Sequence, residues 1–148
     1  MLIKWLLIGL RYLHALFGGL FALFILFLLV NSFVLTIYTV QGHSMDTTLH
    51  TGQRVAVSLI SPHLSPPKRN SIIIVSYSGD TAIKFVKRVI GVPGDTVDYR
   101  GRKLQLGPDE YFVEGDNRSF STDSRTYGPV TQDHIVGEVL GNYPDYQP

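Results

Sequence analysis

Lys87 stands where a lysine is costly. In the strand-like run Ala82–Val92, successive side chains point to opposite faces. One face carries Ile83, Phe85, Lys87 and Val89; the other carries Lys84, Val86, Arg88 and Ile90. Lys87 therefore falls among apolar neighbours. Burial disfavours the ammonium and can bring a lysine pKa from ~10.4 to as little as ~5–6. A neutral amine is a good general base near neutral pH. The same count fits a lysine that snorkels to the surface, or a bulge that shifts the register. A base needs a nucleophile whose proton it can take.

The sequence has no cysteine, which excludes disulfides, Cys-ligated zinc, iron–sulfur clusters and a thiol nucleophile. The nucleophile must be a hydroxyl or a water. Gly42-His43-Ser44-Met45 offers a serine after a glycine-containing turn, able to present a hydroxyl and a backbone N–H to one carbonyl. Gly-x-Ser alone is common and is usually only a turn. His43 invites a Ser-His-Asp reading. However, neighbours in an extended segment point opposite ways, so its ring is expected to face away from Ser44. The five histidines are scattered without ligand spacing, so neither a metal nor a cofactor is implied.

Two unlike parts must position these groups. From Leu13 to Val40 there is no Asp, Glu, Lys or Arg. Leu16–Val30 is apolar throughout, and Phe33–Val40 continues it. A spanning helix needs ~20 apolar residues, whereas the core of a cleaved signal sequence has about 7–15. Residues 1–40 are therefore expected to form a cytoplasmic N-terminus and one transmembrane anchor. Lys4 and Arg11 precede the run, and Gln41–Gly52 carry no Lys or Arg. Positive charge stays inside, so residues 41–148 are expected on the outer face of the plasma membrane.

That second part reads as one domain of strands and turns, since roughly 100 residues suffice for one core and not two. Runs rich in Val, Ile, Tyr and Phe are Arg54–Ile60, Ser71–Tyr77, Ala82–Val92, Thr96–Tyr99, Lys103–Leu106, Tyr111–Glu114 and Ile135–Leu140. Pro and Gly clusters separate them, Gly79–Asp80 among them, and Ser61–Arg69 reads as a surface loop. Arg100-Gly101 reads as a hairpin turn. The pattern implies a small antiparallel β-barrel or sandwich on an N-terminal transmembrane helix. Lys4 and Arg11 are the only charges in the first 40 residues, which leaves 11 Lys+Arg against 12 Asp+Glu for the rest. A near-neutral domain argues against nucleic-acid binding, which needs a clustered basic face.

Three motifs follow the apolar segment in order. The first is Gly42-His43-Ser44-Met45-Asp46-Thr47-Thr48-Leu49. The second is Lys87-Arg88-Val89-Ile90-Gly91-Val92-Pro93-Gly94-Asp95. The third is Gly115-Asp116-Asn117-Arg118, with Ser121-Thr122-Asp123-Ser124-Arg125 and Tyr127-Gly128-Pro129-Val130 behind it. This arrangement resembles the type I signal peptidases, the Ser/Lys membrane endopeptidases, over essentially the whole chain.

The resemblance implies Ser44 as nucleophile, Lys87 as general base and Ser121 as the serine that orients the lysine. It implies that Asp116, Arg118, Asp123 and Arg125 brace the site, with Arg88 beside the base, and that Met45 packs next to it towards the membrane. It also implies a substrate bound as an extended strand, with small residues first and third before the cut. The partners implied are exported preproteins and the lipid bilayer. Two departures stand out: Thr47 occupies the usual proline position, and Gly42 the position where some members carry a hydroxyl that donates to the oxyanion. A dedicated peptidase with a narrow client, of organellar inner-membrane or conjugation type, would tolerate both. A silent membrane-anchored binding domain would be expected to lack Ser44 or Lys87.

Overall fold

The computed structural model describes residues 2–77 and 83–142 and divides the chain into two compact units, Met1–Val34 and Leu35–Pro148. The Gly79–Asp80 turn, the first residue of the Ala82–Val92 run and the last six residues of the chain lie outside the described residues.

The first unit is one α-helix, α1 (Leu2–Val34). Its stretch Ile3–Leu29 is long and apolar enough to cross a membrane. Its 33 residues rise ~50 Å at 1.5 Å each, more than the ~30 Å of a hydrocarbon core.

The second unit is built on antiparallel strands: β1 (Leu35–Thr39), β2 (Arg54–Ser58), β3 (Ile72–Val75), β4 (Phe85–Gly91), β5 (Thr96–Tyr99), β6 (Arg102–Gln105), β7 (Glu110–Glu114), β8 (Val130–Thr131) and β9 (Ile135–Asn142). Seven form a sheet in the order β1-β2-β9-β3-β4-β7-β8, and β5 and β6 pair separately. Arg100 and Gly101 both have positive φ (54° and 75°), the signature of a tight hairpin turn, and they join β5 to β6. The expected mostly-β architecture is present.

β3 is the centre of the packing. Ile73 and Val75 join a cluster with Val89, Tyr111, Val113, Val130 and Ile135. Ile74, on the opposite face, joins Val40, Met45, Leu49, Val55 and Val57. A strand buried on both faces reads as an unbroken apolar run, as Ile72–Val75 does.

Two stretches differ from the sequence reading. Leu35–Thr39 was expected to continue the apolar span, but α1 ends at Val34 and these residues pair with β2 from Leu35↔Ser58 to Thr39↔Arg54. Thr36, Ile37, Tyr38 and Thr39 are β-branched or aromatic and favour a strand once a partner edge is available. The β-rich unit therefore starts six residues before Gln41. Within the loop Ser61–Arg69, Ser61–Leu64 forms a helical turn, α2, with Pro62 buried in its first turn. Pro fits there because that N–H has no helical partner.

Candidate active site

Ser44 lies in the loop that joins β1 to β2. The loop is closed at its base by Val40 N–H to Gln53 O (2.8 Å) and Gly52 N–H to Val40 O (2.9 Å). Met45 and Leu49 are 1% and 2% exposed and seat the loop in the core beneath β2. Each such side chain contributes about 1.5–3 kcal/mol when fully buried. Ser44 itself is half-buried. Its N–H has no acceptor among the described residues, while its carbonyl accepts from Asn117 N–H at 2.9 Å.

Lys87 is on β4, and the parity count placed it correctly. It is 1% exposed, on the same face as Val89 at 0%, and pairs across the ladder with Ile73. Its Nζ lies 5.8 Å from the Phe85 ring centroid and makes no hydrogen bond among the described residues. Burial pushes the Lys87 amine below its ordinary pKa. The nearby Asp123 carboxylate opposes that shift and the Arg125 guanidinium adds to it.

Gly115 brings the two halves together. β4 pairs with β7 as Arg88↔Glu114, and Lys87 and Gly115 are the residues just beyond that last pair on the two strands. A Cβ on Gly115 would overlap the Ser121 hydroxyl and the Ser44 carbonyl oxygen, with Ser121 Cβ only 2.6 Å away. Only glycine allows the Ser44 loop, the end of β7 and Ser121 to meet there. Sequence reasoning quoted Gly115 within its motif but gave it no role. The missing signal was the three-segment contact, which no local pattern encodes.

Asp123 is fully buried and anchors the polar side of the site. It accepts from Gly115 N–H (2.9 Å), Ser121 Oγ–H (2.6 Å), and Arg125 N–H (3.2 Å) and Nε–H (2.9 Å). Burial alone would raise its pKa. The hydrogen bonds from Arg125, Ser121 and Gly115 outweigh that and hold it at about 2. Asp123 also caps the short helix α3 (Ser124–Tyr127). Ser121 therefore donates to Asp123, and no hydrogen bond joins it to Lys87 among the described residues.

Arg88 and Asp116 form a second brace. The guanidinium meets the carboxylate through Nε (2.8 Å) and Nη2 (2.6 Å), and Thr48 Oγ1 donates to the same carboxylate at 2.5 Å. The Arg88 hydrogen bond is the main reason the Asp116 pKa is lowered. Thr48 was not among the expected site residues, yet it links the Ser44 loop to β4. The Arg118 side chain, in contrast, is largely exposed and pairs with Glu114 at 2.6 Å, while its carbonyl accepts from Arg125. His43 is exposed and its Nδ1 lies 2.8 Å from Asp46, with no hydrogen bond to Ser44 among the described residues.

A serine with an unspent N–H and a desolvated lysine, held by a buried aspartate and a close glycine contact, are the parts of an acyl-transfer site. Comparison with known proteins agrees in class. The pattern of the family described as Signal peptidase, peptidase S26, matches residues 13–107 and 102–143. Signal peptidase IB of Staphylococcus aureus (strain Mu50) is 31% identical, with 78% of this chain and 81% of that protein aligned. Signal peptidase I of Bacillus amyloliquefaciens is 31% identical, with 76% of this chain and 78% of that protein aligned. A crystal structure of a signal peptidase I from Enterococcus faecalis is 29% identical, covers 52% of this chain and 98% of its own, and superposes with a TM-score of 0.42. The chain belongs to the signal peptidase family, peptidase S26, and is a hydrolase of the serine peptidase class.

Proposed function

We propose that this protein removes N-terminal signal peptides from exported preproteins, with Ser44 as nucleophile and Lys87 as general base. The observation that carries the assignment is Lys87, a lysine 1% exposed whose amine burial shifts toward its neutral form.

Neutral Lys87 takes the Ser44 hydroxyl proton as Oγ bonds to the scissile carbonyl carbon. The oxyanion accepts from the Ser44 N–H, a donor worth ~3–4 kcal/mol in such sites. When the tetrahedral intermediate collapses, the C–N bond breaks and the Lys87 ammonium protonates the departing amine. The amine of Lys87, again neutral, deprotonates a water that attacks the Ser44 ester, and the signal peptide leaves as a carboxylate. Ser121 Oγ–H donates a hydrogen bond to Asp123, so its oxygen lone pairs are free to accept from the Lys87 N–H and aim the amine. Gly42 supplies no side-chain donor, so the oxyanion relies on the main chain and water.

The helix α1 acts as a single-pass anchor, with the N-terminus cytoplasmic and the β-rich unit on the outer face of the plasma membrane. The decisive experiment incubates wild type, Ser44→Ala and Lys87→Ala with a preprotein in detergent. Product should form only with wild type, and normal cleavage by either variant would remove the dyad. Protease added outside intact cells should digest the β-rich unit; protection would reverse the topology.

A further inference from the structure

Tyr77 has one end among the buried groups of the site and the other on an open cavity. β3 and β4 pair as Ile73↔Lys87 and Val75↔Phe85, so these four side chains share one face. Tyr77 lies two residues beyond Val75 and packs against the apolar cluster that holds Ile73 and Val75. Its ring meets Phe85 at a centroid distance of 5.6 Å and Tyr127 at 5.2 Å. The Phe85 ring in turn lies 5.8 Å from Lys87 Nζ. The Tyr77 hydroxyl is shut off from solvent, with Asp123 and Ser124 on its side. Burial first, and then Asp123, pushes the phenol pKa up.

The cavity measures about 550 Å³ and is lined by Tyr77, Ile83, Phe85, Tyr127, Thr131 and His134 among others. Such a volume holds several waters at ~30 Å³ each. Neither Lys87 nor Asp123 lines it, and neither is more than 1% exposed. Tyr77 and Phe85 are therefore the wall: both line the cavity, Phe85 lies against the amine, and Tyr77 reaches the Asp123 side. Phe85 is 38% exposed, and Tyr77 is the ring packed on it. The charged groups that act on the amine, Asp123 and Arg125, oppose one another, and burial is the largest influence. A desolvated amine stays neutral only while water is kept from it.

We propose that Tyr77 is a positioning residue for the general base: its ring holds Phe85 over Lys87 and keeps the water of the neighbouring cavity from the amine. This rests on Lys87 being the base.

The test follows kcat/KM of the full chain in detergent on one preprotein, from pH ~5 to ~10, because that profile reports the free enzyme's base. In Tyr77→Ala the acid limb should move up by about one unit, a fraction of the several units that burial can command. Cleavage should then be about tenfold below wild type on the limb and within about threefold of it above the limb. Tyr77→Phe keeps the ring and should leave the limb within ~0.3 unit of wild type. Tyr77→Leu should move the limb the same way by less, and it carries the test if Tyr77→Ala does not fold. A limb unmoved in the Ala and Leu variants, a loss equal at every pH, or an equal shift in Tyr77→Phe overturns the proposal. Cleavage that persists in Lys87→Ala would instead remove the base assignment, which separates the two failures.

Discussion

Ser121 Oγ donates to Asp123 Oδ2 at 2.6 Å, so the hydroxyl has no proton left to offer the lysine and can only accept from it. That fixes the sense of the hydrogen bond that would aim the amine. Ser121→Ala should leave substrate binding intact and lower kcat roughly 10- to 100-fold, as a misaimed base does. Ser121→Thr should recover most of the rate. A defect carried by KM instead would argue against an orienting role.

Lys87 should tax stability. Its folded pKa is lowered, against ~10.4 for the unfolded chain. Below the folded pKa both states are protonated and the cost of burying the charge is complete. Between the two pKa values the unfolded chain holds a proton that the folded chain has lost, so stability rises with pH through that window. Lys87→Met should therefore melt higher than wild type at pH 7, and the gap should close towards pH ~10. Thermal unfolding at three pH values checks it. Activity of the wild type should rise with pH through the same depressed pKa, and His43→Ala should leave that limb in place.

Asp123 works in the opposite direction. Its pKa is held at about 2, so its stabilisation is complete above the unfolded value of ~3.9 and is lost as pH falls from there towards 2. Asp123→Asn should cost about 2 kcal/mol at pH 7 and much less at pH 2. An equal deficit at both pH values would mean that the charge is not what matters.

Thr47 has φ +90° and is not glycine. Proline locks φ near −65°, so the residue usual in the family at this position does not fit the turn this chain makes. Thr47→Pro should destabilise by more than ~1 kcal/mol and slow cleavage, whereas Thr47→Gly should be no less stable than wild type. A stabilised, active Thr47→Pro would show that the loop adopts another backbone.

Gly115→Ala should separate the Ser44 loop from Ser121 and reduce cleavage on the order of 100-fold. Gly141→Ala is the control, because a Cβ there meets nothing within 4 Å. Comparable activity of the two variants would show that the contact is not needed.

Strand parity was enough to single out Lys87, because period two is a local property and the strand carries no bulge before Val89. Ser44 had no such signature. It emerged only through the order of three motifs, since a serine in a turn looks like any other. Leu35–Thr39 was misread because apolar content is common to a membrane span and to an edge strand, and the partner that decides between them, β2, begins 15 residues later. The Arg118 side chain was expected to brace the site; it is largely exposed and pairs with the buried Glu114, the residue before Gly115. Spacing along a turn does not fix side-chain direction. Thr48 and Gly115 were missed for a related reason: their partners, Asp116 for one and Ser44 and Ser121 for the other, are distant in the chain or off its local pattern.

The bond from Asn117 N–H to the Ser44 carbonyl has a consequence for inheritance. Both of its ends are main chain, so no side-chain replacement at either position deletes it, and only proline at 117 removes the donor. The separation of the two halves of the site is thus carried partly by peptide groups, which mutation cannot easily reach. Asn117 can then vary in side chain while the nucleophile keeps its place.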